Sequence, residues 1–299
     1  MIQLSMSIGT PADSRVMESV VSITSSSPTG STLSFSCTLI LTGSSGVYSK
    51  SEDRALTDDI LYGIGSVSKI YTTVAVMQLA EQGHVSLDAP VTRYLPQFRM
   101  ADPRYRDITV RMLLNHSSGL MGSGLAGAIL FDDADDSAVD HLLETLSTQR
   151  LVADPGTYSV YCNDGFTLAQ LIVEAVSGQD FMEYVRENIL APAGLESTFA
   201  PGDDFDTALL AKTYSANDPR PLPQDCLNAV GAGGLYASAS DLAAFGGALT
   251  DNTLLSASSR KAMAAPEYDR GIWPDDTLDL LSYGLGWDCV SFFPFSQNG

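Results

Sequence analysis

The hydrophobic pattern of this 299-residue chain changes its period at residues 63–65, which read Gly-Ile-Gly. Before this point, alternate residues are apolar over Leu33, Phe35, Cys37 and Leu39, which predicts a half-buried strand. After it, apolar residues recur at helical intervals and stop at Gly83; they are Val67, Ile70, Val74, Met77 and Leu79. The chain therefore has to pass directly from a β layer into a long helix.

Weaker patterns on either side complete the predicted order of elements. Residues 11–23 place valine and isoleucine at helical spacing and predict a first amphipathic helix. Residues 47–50 are expected to form the hairpin partner of the strand at 33–39. Further helices are predicted at 108–114, 138–146, 166–176, 181–190 and 239–249, and a strand around 283–290.

This order predicts a sheet layer with helices into which a helical domain is inserted. The expected boundaries put residues 1–65 and 230–299 in the sheet domain and residues 66–229 in the helical domain. The composition suits a globular chain, because 44% of the residues are hydrophobic and only 17% are charged.

The charge balance excludes several kinds of partner. With 16 basic and 36 acidic residues, the formal charge of −20 repels nucleic acid and anionic membrane surfaces. The four cysteines are far apart and lack metal-ligand spacing, so we expect neither a metal nor another cofactor. The acidic run at residues 132–136 lacks the pattern of an EF-hand loop and is expected to be a solvated loop.

The sequence contains no stretch that resembles a signal peptide or a membrane-spanning helix. We therefore expect a soluble, cytoplasmic protein, although an exported form from which a leader had been removed would look the same.

Ser66 and Lys69 are the first candidates for catalysis. Residues three apart share a face of a helix, so the serine hydroxyl and the lysine amine can meet over its first turn. A neighbouring base would make the hydroxyl nucleophilic, and the Ser66 N–H at a helix N-terminus is suited to a developing oxyanion. The alternative is a helix-capping serine followed by a solvated lysine. A second pair, Ser258 and Lys261, has the same spacing but lacks a strong turn before it.

Tyr161 and Asn163 form the second candidate element, in a turn that enters a helix. A tyrosine hydroxyl can relay a proton, and an asparagine amide can both donate to and accept from a substrate. A buried tyrosine followed by a turn-forming asparagine is the structural alternative.

Four segments occur together in an order that resembles the serine β-lactamase and penicillin-binding-protein family, in particular the group related to class C β-lactamases, D-amino-peptidases and esterases. The matching segments are residues 63–69, 113–120, 155–163 and 232–242. The resemblance implies an α+β fold of the β-lactamase/transpeptidase type, with an antiparallel sheet flanked by helices and an inserted helical domain.

The resemblance also implies roles for individual residues. Ser66 would be the nucleophile of an acyl-enzyme mechanism, Lys69 and Tyr161 would share general-base and general-acid duty, and Asn163 would hold the substrate's acyl-side amide. Which of Lys69 and Tyr161 takes the first proton stays open. His116 is not expected to be a catalytic base, because it follows a helix in what resembles a structural turn of the family.

One family element has no counterpart in the sequence. The family's third motif, Lys-Thr-Gly or a histidine-containing equivalent, would follow the glycine-rich segment at 231–236. The only similar residues, Lys212 and Thr213, precede that segment and lack the glycine. We therefore expect the sheet to be incomplete in this chain and a further polypeptide segment to complete it.

The expected function is a serine hydrolase acting on a small-molecule or short peptide substrate, in which the bond cleaved is an amide, a lactam or an ester. Two alternatives stay open: a penicillin-binding or sensor-like domain that is acylated or binds ligand without efficient turnover, and a scaffold that has lost activity.

Overall fold

The computed structural model describes residues 15–16, 19–24, 36–42, 44–45, 47–49, 52–124, 127–134, 138–215, 218–267 and 281–290. The strands are β1 Arg15–Val16, β2 Ser19–Thr24, β3 Ser36–Leu41, β4 Ser44–Ser45, β5 Val47–Ser49, β6 Glu52–Ala55, β7 Leu61–Gly63, β8 Ile129–Phe131, β9 Thr198–Phe199, β10 Asp225–Leu227, β11 Tyr236–Ser238, β12 Leu281–Tyr283 and β13 Asp288–Val290. The α-helices are α1 Ser68–Glu81, α2 Val110–Leu114, α3 Ala138–Thr148, α4 Asn163–Ser177, α5 Phe181–Val185, α6 Ala191–Ala193, α7 Ala239–Ala248 and α8 Ala257–Ala264.

The predicted first helix is wrong over its described part. Arg15–Val16 and Ser19–Thr24 are strands, and β2 pairs antiparallel with β3 from Ser19 opposite Leu41 to Thr24 opposite Ser36. Four of the six residues of β2 are valine, isoleucine or threonine, and β-branched side chains favour the pleated surface of a strand over a helix. Residues 11–14 and 17–18 of the predicted helix lie outside the described residues.

The predicted strand at 33–39 is confirmed where it overlaps β3, but its predicted hairpin partner is wrong. Val47–Ser49 is a strand, as expected, yet it pairs with Glu52–Ala55 instead of β3. The β2 strand takes the place beside β3 that was expected for β5.

The three-stranded antiparallel sheet β7–β11–β9 leads into the long helix. Tyr236 of β11 lies opposite Gly63 of β7 and Phe199 of β9. Immediately after β7, the Ile64 N–H donates to the Leu235 carbonyl at 2.9 Å, which extends the pairing to the edge of the helix. The predicted transition from strand to helix at residues 63–65 is therefore confirmed.

Helix α1 lies at the centre of the main hydrophobic core. The predicted apolar stripe is buried, with Val67 partly so, but the polar residues Ser68, Thr72 and Thr73 are buried as well. Helix α1 packs against α4 and against the turn Val230–Gly234. A helix covered on nearly every side needs partners for its polar groups, and the Thr72 hydroxyl donates to the Gly231 carbonyl at 2.8 Å.

The other predicted helices are confirmed with small shifts of their ends. The pattern at 108–114 corresponds to α2, which Thr109 caps by accepting from the Met112 N–H. Residues 138–146, 166–176 and 239–249 fall on α3, α4 and α7. The 181–190 pattern begins as α5 and continues as the π-helical turn Arg186–Leu190.

The predicted strand around 283–290 is a short hairpin instead of one strand. Strands β12 and β13 pair antiparallel, and the Gly284 N–H donates to the Trp287 carbonyl at 2.9 Å across the turn. Glycines at 284 and 286 favour a turn over a continuous strand, and Gly286 has a φ of +73°.

The mixture of helices with small antiparallel sheets confirms the predicted α+β class. The division at residues 65/66 and 229/230 stays a prediction. Among the described residues, no helix has both the length and the apolar character needed to cross a bilayer.

Gly234 is expected to be essential for the approach of the 230–234 turn to β10. A Cβ added at Gly234 would lie 2.0 Å from the Leu227 carbonyl oxygen, whereas a Cβ at Gly63 would meet only Tyr236 Cδ1 at 3.9 Å. We expect Gly234→Ala to lower the free energy of unfolding by about 1–3 kcal/mol and Gly63→Ala to change it by less than about 1 kcal/mol. Urea denaturation of both variants measures this, and equal stability of the two would contradict the packing described.

Candidate active site

Ser66 lies on a single 3₁₀ turn, Gly65–Val67, between β7 and α1. Two bonds fix this turn: the Ser68 hydroxyl donates to the Gly65 carbonyl at 2.7 Å, and the Leu235 N–H donates to the Ser68 hydroxyl at 3.1 Å. Gly65 has a φ of +51°, a conformation that glycine adopts easily. The turn leaves Ser66 exposed at the end of a buried helix.

Lys69 is buried below Ser66, with 2% of its surface exposed. Its Nζ atom lies 3.2 Å from Ser66 Oγ and 2.6 Å from Asn163 Oδ1, and it also donates to the Ala232 carbonyl. The three partners in these contacts are uncharged oxygen atoms. The alternative of a solvated lysine is therefore wrong, because the amine is inside the protein and directed at the serine.

Tyr161 approaches Ser66 from the loop before α4. Its hydroxyl donates to Ser66 Oγ, so the serine oxygen contacts both the Tyr161 hydroxyl and the Lys69 amine. The Lys69 Nζ atom lies 4.8 Å from the centre of the Tyr161 ring. This arrangement places two groups that can transfer a proton beside one hydroxyl.

Asn163 begins helix α4 and connects the lysine to a neighbouring loop. Its Oδ1 atom accepts from Lys69, while its Nδ2 atom donates to Ser123 Oγ at 2.7 Å. The structure thus brings together all four residues that the sequence singled out.

Three participants in this arrangement were missed by sequence reasoning. The Ala232 carbonyl was inside a matched segment, but a backbone acceptor carries no side-chain signal. Ser123 is an isolated serine between glycines, and Asp164 was passed over as the neighbour of Asn163. Only its position directly after a candidate residue could have drawn attention to Asp164.

A close approach of backbone to helix brings the Ala232 carbonyl to Lys69. The Gly231 N–H donates to Gln170 Oε1 at 2.9 Å, and a Cβ at Gly231 would lie 2.9 Å from Gln170 Cβ and 3.0 Å from Thr72 Oγ1. Only a residue without a side chain allows the turn to lie this close to both α1 and α4.

His116 supports the tyrosine and does not contact Ser66 within the described residues. Its ring stacks on the Tyr161 ring at 4.7 Å between centres, and its Nδ1 atom accepts from the Cys162 N–H at 3.0 Å. Burial, with the nearby Lys69 charge as a second cause, lowers the pKa of His116 to about 3. The imidazole is therefore neutral at physiological pH and fixes the 161–162 backbone.

The segment around His116 is a structural turn, as expected. Residues 113–120 are all buried, and the turn holds the tyrosine loop through backbone bonds. The Gly156 N–H donates to the Ser117 carbonyl at 2.7 Å, and the Val160 N–H donates to the His116 carbonyl at 2.8 Å. His116 has a φ of 63°, which makes the turn tight enough to receive both bonds.

The other sequence candidates lie elsewhere. Lys212 and Thr213 line a cavity of about 480 Å³ together with Tyr62 and Tyr236, and neither Ser66 nor Lys69 lines it. Lys261 lies exposed on α8 near Ser258, whose hydroxyl contacts Ser256. Asp132 and Asp133 are exposed, and the described part of the chain contains no group of side chains suited to a metal ion.

The buried neutral state of His116 predicts a pH-dependent stability. Because its folded pKa lies below the ordinary value of 6.5, the stabilisation is fully present above about pH 6.5 and is lost as the pH falls toward about 3. We expect His116→Asn, which tolerates the left-handed backbone and can accept from the Cys162 N–H, to remove this dependence.

Between about pH 7 and pH 5, the wild type should lose about 2 kcal/mol of unfolding free energy relative to His116→Asn. Urea denaturation at both pH values measures the difference, with the exposed His84→Asn as the control. If the difference in unfolding free energy between the wild type and His116→Asn is the same at both pH values, the result would contradict a buried neutral imidazole.

Comparison with known proteins extends the resemblance to most of the chain. A family model described as Beta-lactamase matches residues 37–291. The chain is 30% identical over 183 residues to penicillin-binding protein 4 of Amycolatopsis lactamdurans, covering 60% of this chain and 47% of that protein. It is 32% identical over 161 residues to esterase EstB of Burkholderia gladioli, covering 50% of this chain and 41% of that protein.

The fold is also similar to a solved structure. The octameric penicillin-binding protein homologue from Pyrococcus abyssi superposes with a TM-score of 0.68 at 27% identity, over 83% of this chain and 57% of that chain. The chain spans about half the length of the curated relatives it matches. The expected fold type is confirmed, and since the family model covers far more than half of the chain, this protein belongs to the β-lactamase family.

Proposed function

We propose that this protein is a serine hydrolase that cleaves an ester, amide or lactam bond through an acyl-enzyme on Ser66. The observation that carries the proposal is the convergence of the Lys69 amine and the Tyr161 hydroxyl on Ser66 Oγ. A serine hydroxyl becomes a good nucleophile when an adjacent base takes its proton, and here two groups that can transfer a proton contact it.

In the first step, Ser66 Oγ attacks the substrate carbonyl carbon as its proton passes to a base, which is either Lys69 or the phenolate form of Tyr161. Lys69 takes the proton only if its amine is neutral at that moment; the 3.2 Å contact with Ser66 Oγ gives it the necessary reach. The carbonyl oxygen becomes an oxyanion, which the Ser66 N–H at the start of the helix is suited to stabilise.

In the second step, the tetrahedral intermediate collapses and the bond to the leaving group breaks. Tyr161 is the group suited to protonate the leaving atom, because its hydroxyl lies against Ser66 Oγ. Where Lys69 was the base, the proton that it took from Ser66 then replaces the one that Tyr161 gives up. Water then attacks the acyl-serine, the carboxylic acid leaves, and Ser66 recovers its proton.

For the substrate we propose a small molecule or a short peptide instead of a polyanion. The chain carries a net charge of −20, which disfavours nucleic acid and anionic membranes. Relatives named as an esterase and as a penicillin-binding protein support both ester and lactam electrophiles. Completion of the sheet by a further polypeptide segment stays a prediction.

The acyl-enzyme is tested by intact mass spectrometry after incubation with p-nitrophenyl acetate and, separately, with a fluorescent penicillin. We expect a covalent adduct that is absent in Ser66→Ala and retained in Ser258→Ala, which removes the serine of the other Ser-x-x-Lys pair. Turnover supports a hydrolase, and a stoichiometric adduct without turnover supports a penicillin-binding domain. An adduct that persists in Ser66→Ala would reject the assignment.

Tyr161→Phe is expected to lower kcat for the ester by about 10²–10⁴, the usual contribution of a positioned acid or base. The ring would still stack on His116, so KM should change little. Tyr158→Phe, at an exposed tyrosine of the same loop, is the matched control. Steady-state kinetics measure both, and equal activity of the two variants would remove Tyr161 from the mechanism.

A further inference from the structure

Asp164 is a buried carboxylic acid next to the candidate site for which the mechanism above has no role. It follows Asn163 at the start of α4, and only 3% of its surface is exposed. Burial raises the pKa of Asp164 to about 6, while the hydrogen bond from Gly124 lowers it. A buried acid is costly unless a specific contact compensates for the lost hydration.

That contact is with the loop that carries Ser123. Asp164 Oδ1 accepts from the Gly124 N–H at 2.7 Å, and the Asp164 N–H donates to the Gly122 carbonyl at 3.2 Å. The Cys162 thiol, whose pKa burial raises to about 12, also lies 3.1 Å from the Gly122 carbonyl and donates to it. Together with the bond from Asn163 Nδ2 to Ser123 Oγ, four bonds therefore join residues 122–124 to the start of α4.

The position of this loop determines what Asn163 can contact. The Asn163 amide lies between two partners, since Oδ1 accepts from Lys69 and Nδ2 donates to Ser123 Oγ. Ser123 is exposed and flanked by glycines, whose backbone freedom calls for an anchor besides the bond from Asn163. The bond from Gly124 to Asp164, one residue further along, supplies the anchor.

We propose that Asp164 is a positioning residue: its carboxylate holds Gly124, and with it the Ser123 hydroxyl, against the Asn163 amide that contacts Lys69. The proposal rests on the proposed function for its effect on catalysis, but the anchoring itself does not. Asp164 acts through Ser123 and Asn163 and touches neither Ser66 nor Lys69 in the described part of the structure.

The local geometry favours an acceptor at this position. Asp164 is the second residue of α4, where free N–H groups and the helix dipole favour negative charge. A Cβ added at Gly124 would lie 3.5 Å from both carboxylate oxygens, so the space between the loop and the acid is little more than one methyl group wide.

The first test uses hydrogen exchange of the full chain and needs no enzymatic activity. In Asp164→Ala, exchange of the Gly124 amide should become at least tenfold faster, whereas in Asp164→Asn the amide oxygen still accepts and exchange should stay within about threefold. Unchanged exchange at Gly124 in folded Asp164→Ala would overturn the proposal, whether or not the wild type is an enzyme.

The second test uses kinetics with p-nitrophenyl acetate, after the Ser66 adduct has established activity. We expect Asp164→Ala to lower kcat/KM about 10- to 100-fold and Asp164→Asn to stay within about threefold of the wild type. The double variant Asp164→Ala/Ser123→Ala should lose little more kcat/KM than Asp164→Ala alone, because both changes interrupt the same connection from Asp164 to Asn163.

Other outcomes would contradict the proposal in distinguishable ways. If the losses of kcat/KM in Asp164→Ala and Ser123→Ala add fully in the double variant, Asp164 does not act through Ser123. If Asp164→Ala does not fold, the Asp164→Asn variant decides the question. The proposal is overturned if folded Asp164→Asn loses more than tenfold in kcat/KM, or if its Gly124 amide exchanges fast. An inactive wild type with the expected exchange pattern would reject the proposed function and leave the anchoring supported.

Discussion

The amine of Lys69 is buried, and oxygen atoms from three separate parts of the chain surround it. Ser66 comes from the turn before α1, Asn163 from the start of α4, and the Ala232 carbonyl from the 230–234 turn. Removing an amine from water is costly unless hydrogen bonds replace the lost hydration. Each of these three segments must therefore be placed accurately for the buried amine to keep its hydrogen bonds.

The glycines of the 230–234 turn allow the Ala232 carbonyl to lie beside Lys69. The buried turn at 113–120 helps to position the loop that leads to Asn163. Without a side chain at Gly231, the backbone can approach Gln170 and Thr72 and present its carbonyls to the helix. The neutral His116 ring, through Cys162 and Tyr161, fixes the loop on the opposite side. Residues that look purely structural in the sequence thus determine the geometry of the serine.

The sequence singled out the four side chains of the candidate site and the helices that carry them, because each lies in a local pattern and the family-like order of four segments reinforces those patterns. Ser66 and Lys69 share a helical face, and Tyr161 and Asn163 precede an apolar helix. The Ala232 carbonyl and the Asp164 anchor could not be predicted, because each depends on a contact between segments distant in sequence. The same limit explains the error at Ser19–Thr24: valines and isoleucine spaced at 16, 20, 21 and 23 suit a helix or a strand, and pairing with β3 decides between them.

The type of turn before α1 explains how an exposed serine and a buried lysine can be in contact. The expectation was a meeting over the first turn of an α-helix, but Ser66 lies on a 3₁₀ turn and the α-helix begins only at Ser68. Side chains three residues apart lie close together along the axis of a 3₁₀ turn and also share a face of an α-helix, so Ser66 and Lys69 stay adjacent across the change from one to the other. Ser66 can therefore remain at the surface while Lys69, one turn further into the protein, reaches its hydroxyl at 3.2 Å from inside the core. The short turn thus keeps the serine hydroxyl accessible at the surface and the lysine amine buried, and burial favours the neutral form of an amine, the form that can accept a proton.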